Sequence, residues 1–325
     1  MHHRILGRTG VKVSRLCFGT MSFGGDADEA TSAALFKRCL DAGINFFDCA
    51  NSYGRGRAEE ILGRCMAGLR DELVITTKVC SAMGPGVNDR GLSRRHIMMQ
   101  VDASLKRLQT DRVDLLFVHH YDFDTPMEET LHALDDLVDQ GKILYPGVSN
   151  WAAWQISKAL TLADLRGMAR FQCIQPMYNL TKRQAEVEIL PLAQAEQVGV
   201  IPYSPLGGGL LTGKYTEGAR PAQGRLVQNK MYEKRYGDQM YFEIAKRFAA
   251  YAQERGHHPA TLAVAWVMGH PAVTAPIIGA RNLEQLEPSL AALAVEMTPE
   301  WRREISALSY EPPPATDRSE EKNAR

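Results

Sequence analysis

An aspartate, a tyrosine and a lysine at the ends of neighbouring apolar segments could together move a proton. Asp48 ends the stretch "INFFD", Tyr53 follows five residues later, and Lys78 lies near the end of "LVITTKV". Because an isolated ammonium group is very costly among strand side chains, Lys78 is expected to pair with Asp48. A neighbouring ammonium stabilises the ionised form of a phenol, so Tyr53 is predicted to give up a proton near neutral pH. A buried salt bridge with a purely structural role is the alternative for Asp48 and Lys78 taken alone.

Two adjacent histidines, His119 and His120, end another apolar run, "VDLLFVHH". Successive strand residues point to opposite faces, so only one of the two is expected to face the site. A metal site would need two ligands on one face, which this spacing does not give, and no metal is predicted. His257 and His258 precede a proline and are predicted to begin a helix.

Eight short apolar runs, each ending in polar residues or glycine, recur along the chain. Stretches with helical periodicity separate most of them. Continuous apolar runs suit strands buried on both faces, so the pattern predicts an α/β fold, a (β/α)8 TIM barrel. Polar side chains then lie at the carboxyl ends of the strands, where such barrels carry their chemistry. The runs are "RLCFGT", "INFFDCA", "LVITTKV", "VDLLFVHH", "ILYPGVSN", "FQCIQPMYN", "VGVIPYSPL" and "TAPIIGA".

An open doubly wound sheet is the alternative, but it usually carries G-x-G-x-x-G after its first strand, and "FGTMSFGG" does not fit. A β-hairpin around Thr9 and Gly10 is predicted to close the barrel floor. The barrel is expected to form one domain over residues 1–310, followed by a polar, proline-led tail over 311–325. The long polar segment between Tyr215 and Met240 is predicted to be a binding loop or lid.

The composition, 45% hydrophobic and 23% charged residues, is that of an ordinary globular protein. Lys and Arg number 38, as do Asp and Glu, so no net charge favours nucleic acid or an anionic membrane. No segment approaches the run of about 18 apolar residues that suggests a transmembrane helix. The 6 cysteines include no C-x-x-C pair and are predicted to be free thiols in a cytoplasmic protein.

An ordered set of motifs resembles the aldo-keto reductase superfamily, including the branch of the potassium-channel beta subunits. The matching segments cover nearly the whole chain short of the tail. They include "RILGRTGVKVSRLCFGTMSFG", "FDCANSYGRGRAEEILG", "SLKRLQTDRVDLLFVHHYD", "PGVSNW", "QPMYNL", "PYSPLGGGLLTGKY" and "IIGARNLEQL". The resemblance implies reduction of an aldehyde or ketone by NADPH without a metal. It assigns Tyr53 as general acid, Lys78 as the group that lowers its pKa, Asp48 as the partner of Lys78, and His119 as the group that orients the carbonyl.

The resemblance also implies a set of contacts to NADPH or NADP+. Ser149, Asn150 and Gln175 would bind the carboxamide, and Tyr203 would stack on the nicotinamide. Arg281 would read the 2'-phosphate, and Gln285 would contact the adenine. Ser289, preceded by Pro288, is a further implied cofactor contact at a position where relatives commonly carry Asn. The other implied contacts are Gly19, Thr20, Met21, Asp48, Ser204, Pro205, Leu206, Gly208, Lys214, Arg225, Ile278 and Gly279.

Two other functions stay open at this level. One is a non-catalytic subunit that binds the cofactor and regulates a partner, as in the potassium-channel beta subunits. The other is a metal-dependent barrel hydrolase or aldolase, which would need a ligand cluster that the sequence does not present. The substrate could be an aldehyde, a ketone or the open form of a sugar, and the sequence does not fix the oligomeric state.

Overall fold

The computed structural model describes residues 2–215, 226, 229–316, 318 and 320. Among these, eight parallel strands form a sheet with the order β10-β3-β4-β5-β6-β7-β8-β9. The strands are β3 (Cys17–Gly19), β4 (Phe46–Asp48), β5 (Val74–Val79), β6 (Val113–Val118), β7 (Ile143–Ser149), β8 (Cys173–Gln175), β9 (Gly199–Val200) and β10 (Ile277–Ile278). Each lies within one of the eight predicted apolar runs.

Backbone hydrogen bonds bring the last strand back to its neighbour and curl the sheet into a barrel. The amide of Thr274 donates to the carbonyl of Val200 over 2.8 Å, and the amide of Ile277 donates to that of Pro202 over 2.9 Å. On the other side, Ile277 pairs with Cys17 of β3. The prediction of a (β/α)8 barrel is confirmed.

A hairpin precedes the barrel, as predicted. Its antiparallel strands are β1 (His3–Ile5) and β2 (Lys12–Ser14). Leu6 and Val13, one in the turn and one in β2, are fully buried in a cluster with Phe46 and Phe117 from the barrel strands. Because the hairpin supplies apolar side chains to the barrel interior, it covers the end opposite the carboxyl ends of the strands.

Helices pack around the barrel and bury its outer face. Helices form in the stretches with helical periodicity that separate the apolar runs. His258 caps the start of α9, as predicted, by accepting a hydrogen bond from the amide of Ala260. The helices are α1 (Glu29–Asp41), α2 (Arg57–Cys65), α3 (Arg94–Leu108), α4 (Met127–Asp139), α5 (Ala153–Arg166), α6 (Ile189–Ala195), α7 (Lys230–Tyr236), α8 (Gln239–Glu254), α9 (Pro259–Met268), α10 (Leu283–Leu290) and α11 (Pro299–Ser306).

The prediction of one long loop between Tyr215 and Met240 is wrong for its last part, which contains α7. Asn229 caps this helix, since its side chain accepts a hydrogen bond from the amide of Met231. Tyr232 and Tyr236 are four residues apart, lie on one face of the helix, and are both buried. Burial of two aromatic rings therefore stabilises a helix in a segment whose composition is otherwise polar.

Other sequence expectations concern the thiols, the tail and the membrane. All six cysteines are free thiols, and four of them are buried. At the start of the tail, Pro312 is buried. In the part of the chain that the structure describes, no helix is long and apolar enough to span a bilayer.

Candidate functional site

Lys78 is the centre of a buried polar cluster at the carboxyl ends of β4 and β5. Its Nζ lies 2.6 Å from Oδ2 of Asp48, 2.6 Å from the backbone carbonyl oxygen of Cys49 and 3.4 Å from the hydroxyl of Tyr53. An ammonium group has three N–H donors, so these three acceptors use all of them. Burial lowers the pKa of Lys78, but the charge of Asp48 and the contact with Tyr53 outweigh it and raise the pKa overall. Lys78 is therefore a cation at neutral pH.

Asp48 is held rigidly by groups from neighbouring strands. Its Oδ1 accepts hydrogen bonds from Oγ1 of Thr76 over 2.7 Å and from the side-chain nitrogen of Gln175 over 2.9 Å. Its backbone carbonyl accepts from the hydroxyl of Thr20 over 3.0 Å. Because the carboxylate accepts two hydrogen bonds from neutral groups and a third from the ammonium group of Lys78, its burial is compensated.

Tyr53 lies in the loop that follows β4, and a left-handed turn directly after it carries the chain away. Gly54 and Arg55 have φ of 55° and 54°, a conformation that glycine adopts without strain. The Nζ of Lys78 is 4.9 Å from the centroid of the Tyr53 ring. This turn positions the phenol above the lysine.

The pKa of Tyr53 contradicts the expectation of a proton released near neutral pH. Burial raises the pKa to about 12, although the charge of Lys78 acts in the opposite direction. The predicted effect of the lysine is present, but desolvation of the phenolate is larger. Tyr53 therefore keeps its proton at neutral pH, as a general acid must.

His119 and His120 are also not arranged as predicted. Their rings stack in parallel, with centroids 4.5 Å apart and an angle of 6° between the planes. The strand ends at Val118, so the alternation of strand faces does not reach the histidines. Burial and the charge of Lys78 lower the pKa of His119 to about 2. His119 is thus neutral, and its ring lies 6.2 Å from that of Tyr53, centroid to centroid.

The four residues expected to hold the nicotinamide lie together at the ends of β7, β8 and β9. The hydroxyl of Tyr203 donates to Oδ1 of Asn150 over 2.7 Å, and Nδ2 of Asn150 donates to the backbone carbonyl of His119 over 2.9 Å. Ser149 donates its hydroxyl to the carbonyl of Gln175 over 2.9 Å. Because Gln175 uses its side-chain nitrogen on Asp48, its side-chain oxygen remains to accept from a carboxamide. These polar groups beside an aromatic ring fit a nicotinamide.

The glycine-rich segment after Tyr203 has a left-handed backbone. Ser204 has a φ of 57°. Gly207, Gly208 and Gly209, which follow it, have φ between 57° and 99°. A Cβ on Gly208 would lie 2.7 Å from the ring of Tyr232. Pro205 and Leu206 belong to the same segment, and Lys214 follows it with Nζ 5.3 Å from the centroid of the Tyr215 ring. Arg225, the other predicted cation, lies outside the described residues.

The other predicted cofactor contacts lie at the first and last barrel strands and at the start of α10. Gly19 allows close packing, since a Cβ there would lie 2.8 Å from a methyl group of Ile277. Thr20 and Met21 follow β3, Ile278 is the last residue of β10, and Gly279 follows it. Arg281 pairs with Asp26, Nε to Oδ2 at 3.0 Å, and its backbone amide donates to the side-chain oxygen of Gln285.

The position of Ser289 does not favour the predicted contact with the cofactor. It is 1% exposed, and its hydroxyl has no hydrogen-bond partner among the described residues. The position lies one turn along α10 from Gln285, on the side of the helix that faces the protein. The hydroxyl of Ser289 therefore faces the protein and does not lie on the surface that carries Arg281.

Two parts of the site were missed from the sequence. Thr76 binds Asp48, and its position two residues before Lys78 on a strand could have indicated a shared face. Arg235 of α7 lies with its guanidinium carbon 5.9 Å from the centroid of the Tyr203 ring; it belongs to the segment predicted as a loop and carried no signal. In the described ranges, no group of three His, Cys, Asp or Glu side chains could hold a metal ion.

Comparisons with known proteins agree with this geometry. The model of the aldo/keto reductase family matches residues 15–309. A protein of Bacillus subtilis named as an uncharacterized oxidoreductase is 40% identical over 323 residues, which are 95% of this chain and 96% of that protein. A probable voltage-gated potassium channel subunit beta of Arabidopsis thaliana is 39% identical, covering 91% of this chain and 92% of its own. A norsolorinic acid reductase of Aspergillus flavus is 35% identical, and the match covers 94% of this chain and 80% of that protein.

Proposed function

This chain belongs to the aldo/keto reductase family, and on that premise we propose that it reduces aldehydes and ketones to alcohols with NADPH. The observation that carries the proposal is the position of the Lys78 ammonium group between Asp48 and the hydroxyl of Tyr53. When bound, the reduced nicotinamide supplies a hydride to the carbonyl carbon. The remaining steps are proton and charge handling by the side chains of this site.

Tyr53 donates its proton to the carbonyl oxygen, so that hydride and proton together convert the carbonyl to an alcohol. The phenolate that remains is stabilised by the ammonium group of Lys78, 3.4 Å away. His119 is neutral because its pKa is lowered to about 2, and it offers one N–H to the same oxygen. Asp48 keeps Lys78 in place and does not touch the substrate.

Aryl carbonyl compounds are the substrates that the surroundings favour. Tyr121 packs its ring 4.8 Å from that of Phe123 and 4.9 Å from that of Trp151, centroid to centroid. Phe123 is 85% exposed, and Trp154, whose ring centroid lies 6.3 Å from that of Tyr121, is 61% exposed. Tyr121 follows His120 directly in the chain, and the other rings pack against Tyr121. Exposed aromatic side chains next to a site suit a planar apolar ligand. One relative is named as a reductase, the norsolorinic acid reductase of Aspergillus flavus.

The proposal is tested by following NADPH absorbance with a panel of aryl aldehydes, aliphatic aldehydes, ketones and sugars. Tyr53→Phe should bind NADPH but lose about a hundredfold to ten-thousandfold of the rate, the usual contribution of a general acid. Tyr145→Phe is the control, because its hydroxyl lies at the hairpin end of the barrel beside Thr9. Wild-type rates in Tyr53→Phe would refute the assignment of the acid. NADPH binding with no turnover of any compound would favour a regulatory subunit, the role named for the Arabidopsis relative.

A further inference from the structure

Arg235 is a half-buried cation at the mouth of the barrel to which the proposed mechanism gives no role. Its guanidinium carbon lies 5.9 Å from the centroid of the Tyr203 ring and 5.4 Å from that of the Tyr232 ring. Tyr232 in turn packs against the glycine-rich segment at Gly208. The helix α7 therefore fixes the guanidinium group beside the aromatic ring that follows β9.

Arg235 has no carboxylate partner in the part of the chain that the structure describes. By contrast, Arg281 at the same end of the barrel is paired with Asp26. Aromatic rings attract a cation but leave its N–H donors available, since a guanidinium group has five of them. A planar cation held in this way is suited to binding a carboxylate or phosphate through two parallel hydrogen bonds.

The position of Arg235 points to the substrate end of the site. The hydroxyl of Tyr203 donates to Asn150, and Asn150 donates to the backbone of His119, so two hydrogen bonds connect the ring beside Arg235 to the proposed carbonyl-binding residue. After burial, the positive charge of Arg235 is the next cause that lowers the pKa of His120. Arg235 is thus close to His120 at the end of β6, on the side where the carbonyl compound is expected.

We propose that Arg235 binds an anionic group, a carboxylate or a phosphate, on the carbonyl substrate and makes the enzyme select negatively charged aldehydes or ketones. This inference rests on the proposed reductase function. The competing ligand with the same chemistry is the pyrophosphate of the cofactor, because Arg235 also lies near the glycine-rich segment. If Arg235 binds the substrate, its loss changes the KM for charged substrates. If it binds the pyrophosphate, its loss changes the affinity for NADPH.

The experiment compares ortho-, meta- and para-carboxybenzaldehyde with their neutral methyl esters, which keep the ring and the aldehyde but lose the charge. Arg235→Met should raise KM for at least one of the acids by about tenfold to a hundredfold, the usual effect of losing hydrogen bonds to a charged group. The esters should react as in the wild type, and Arg235→Lys should retain part of the preference. Lys234→Met is the matched control, since it removes the same charge from an exposed position of the same helix.

A second readout does not depend on turnover. Benzoate should bind the complex of wild-type protein with NADP+, measured by quenching of protein fluorescence, and bind about tenfold more weakly to Arg235→Met. Equal changes for acids and esters, or equal benzoate affinity in the two proteins, would overturn the proposal. A weaker affinity for NADPH with an unchanged ratio of acid to ester would assign Arg235 to the cofactor instead. If neither acids nor esters are reduced while benzoate binding still depends on Arg235, the reductase proposal fails and the anion site stands.

Discussion

The side-chain nitrogen of Gln175 donates a hydrogen bond to Oδ1 of Asp48 over 2.9 Å, although the two residues are 127 positions apart in the chain. Gln175 is a proposed contact of the nicotinamide, whereas Asp48 holds the lysine beneath the proposed acid. The bond therefore joins the cofactor side of the site to its proton-transfer side. It also fixes which end of the Gln175 amide faces the barrel mouth.

Replacing Gln175 with Glu should make stability depend on pH. The new carboxylate would lie beside that of Asp48. Because two adjacent negative charges repel each other, one of the two pKa values must rise above its value in the unfolded chain. A group whose pKa is raised by folding contributes its stability at low pH and loses it as pH rises through the folded value. The melting temperature of the variant relative to wild type should therefore fall between about pH 4 and pH 8. Gln175→Met, which also loses the donor but adds no charge, should show a deficit that is independent of pH; parallel behaviour of the two variants would contradict this account.

Stability and activity should separate when the buried pair of Asp48 and Lys78 is changed. Lys78→Met leaves the carboxylate of Asp48 buried without its cation and should cost about 3–5 kcal/mol of unfolding free energy. The double variant Asp48→Asn with Lys78→Met removes both charges, so it should regain at least half of that loss in urea titrations. It should nevertheless stay inactive, because no ammonium group stabilises the phenolate of Tyr53. A double variant as unstable as the single one would show that packing at these positions matters more than charge.

The strand ends could be predicted because their pattern is local, while several properties of the site could not. The eight apolar runs marked the ends of the strands, and Asp48, Lys78 and His119 were found as polar side chains at those ends. The high pKa of Tyr53 depends on how deeply its hydroxyl is buried, which spacing does not reveal. The stacked histidines depend on β6 ending at Val118, one residue before them.

Long-range contacts account for the remaining misses. The bond from Gln175 to Asp48 joins residues of different strands, and no local pattern connects them. The helix α7 lies in a polar segment, where only the spacing of Tyr232 and Tyr236 indicates a helical face. Arg235 acquires its position from that helix, so missing the helix also meant missing the arginine.

Arg281→Ala tests the proposed preference for NADPH. Loss of a guanidinium group that binds the 2'-phosphate should raise the Kd for NADPH by about tenfold or more and leave that for NADH unchanged. Asp26→Asn offers the opposite change, because it releases Arg281 from its ion pair and should strengthen NADPH binding modestly. Fluorescence titration with both cofactors measures the ratio. Equal weakening of NADPH and NADH in Arg281→Ala would argue against contact with the 2'-phosphate.

Glu59 should contribute to stability without affecting the chemistry. It is fully buried on α2, accepts a hydrogen bond from Thr77, and pairs with Arg107 of α3 at 2.6 Å. Thr77 points away from the barrel interior, since its neighbour Lys78 points inward. Glu59→Gln should therefore lower the unfolding free energy by about 2–4 kcal/mol and leave the affinity for NADPH unchanged.

The control for that measurement lies next to it in the sequence. The side chain of Glu60 is 42% exposed and, among the described residues, pairs only with Arg57 across the helix surface. Glu60→Gln should therefore change the unfolding free energy by less than about 1 kcal/mol. If both variants were equally stable, the buried pair of Glu59 and Arg107 would contribute no more than a surface contact.

The pairing of β3 with β10 also bears on how the polypeptide is made. Phe18 aligns with Ile278, so the barrel cannot close until almost all of the sequence has left the ribosome. Until then β3 is an unpaired apolar edge, which invites association with other nascent chains. Contacts of such long sequence separation also slow folding. Synthesis of this protein should thus pass through an open intermediate that chaperones protect, and its yield should respond to their supply.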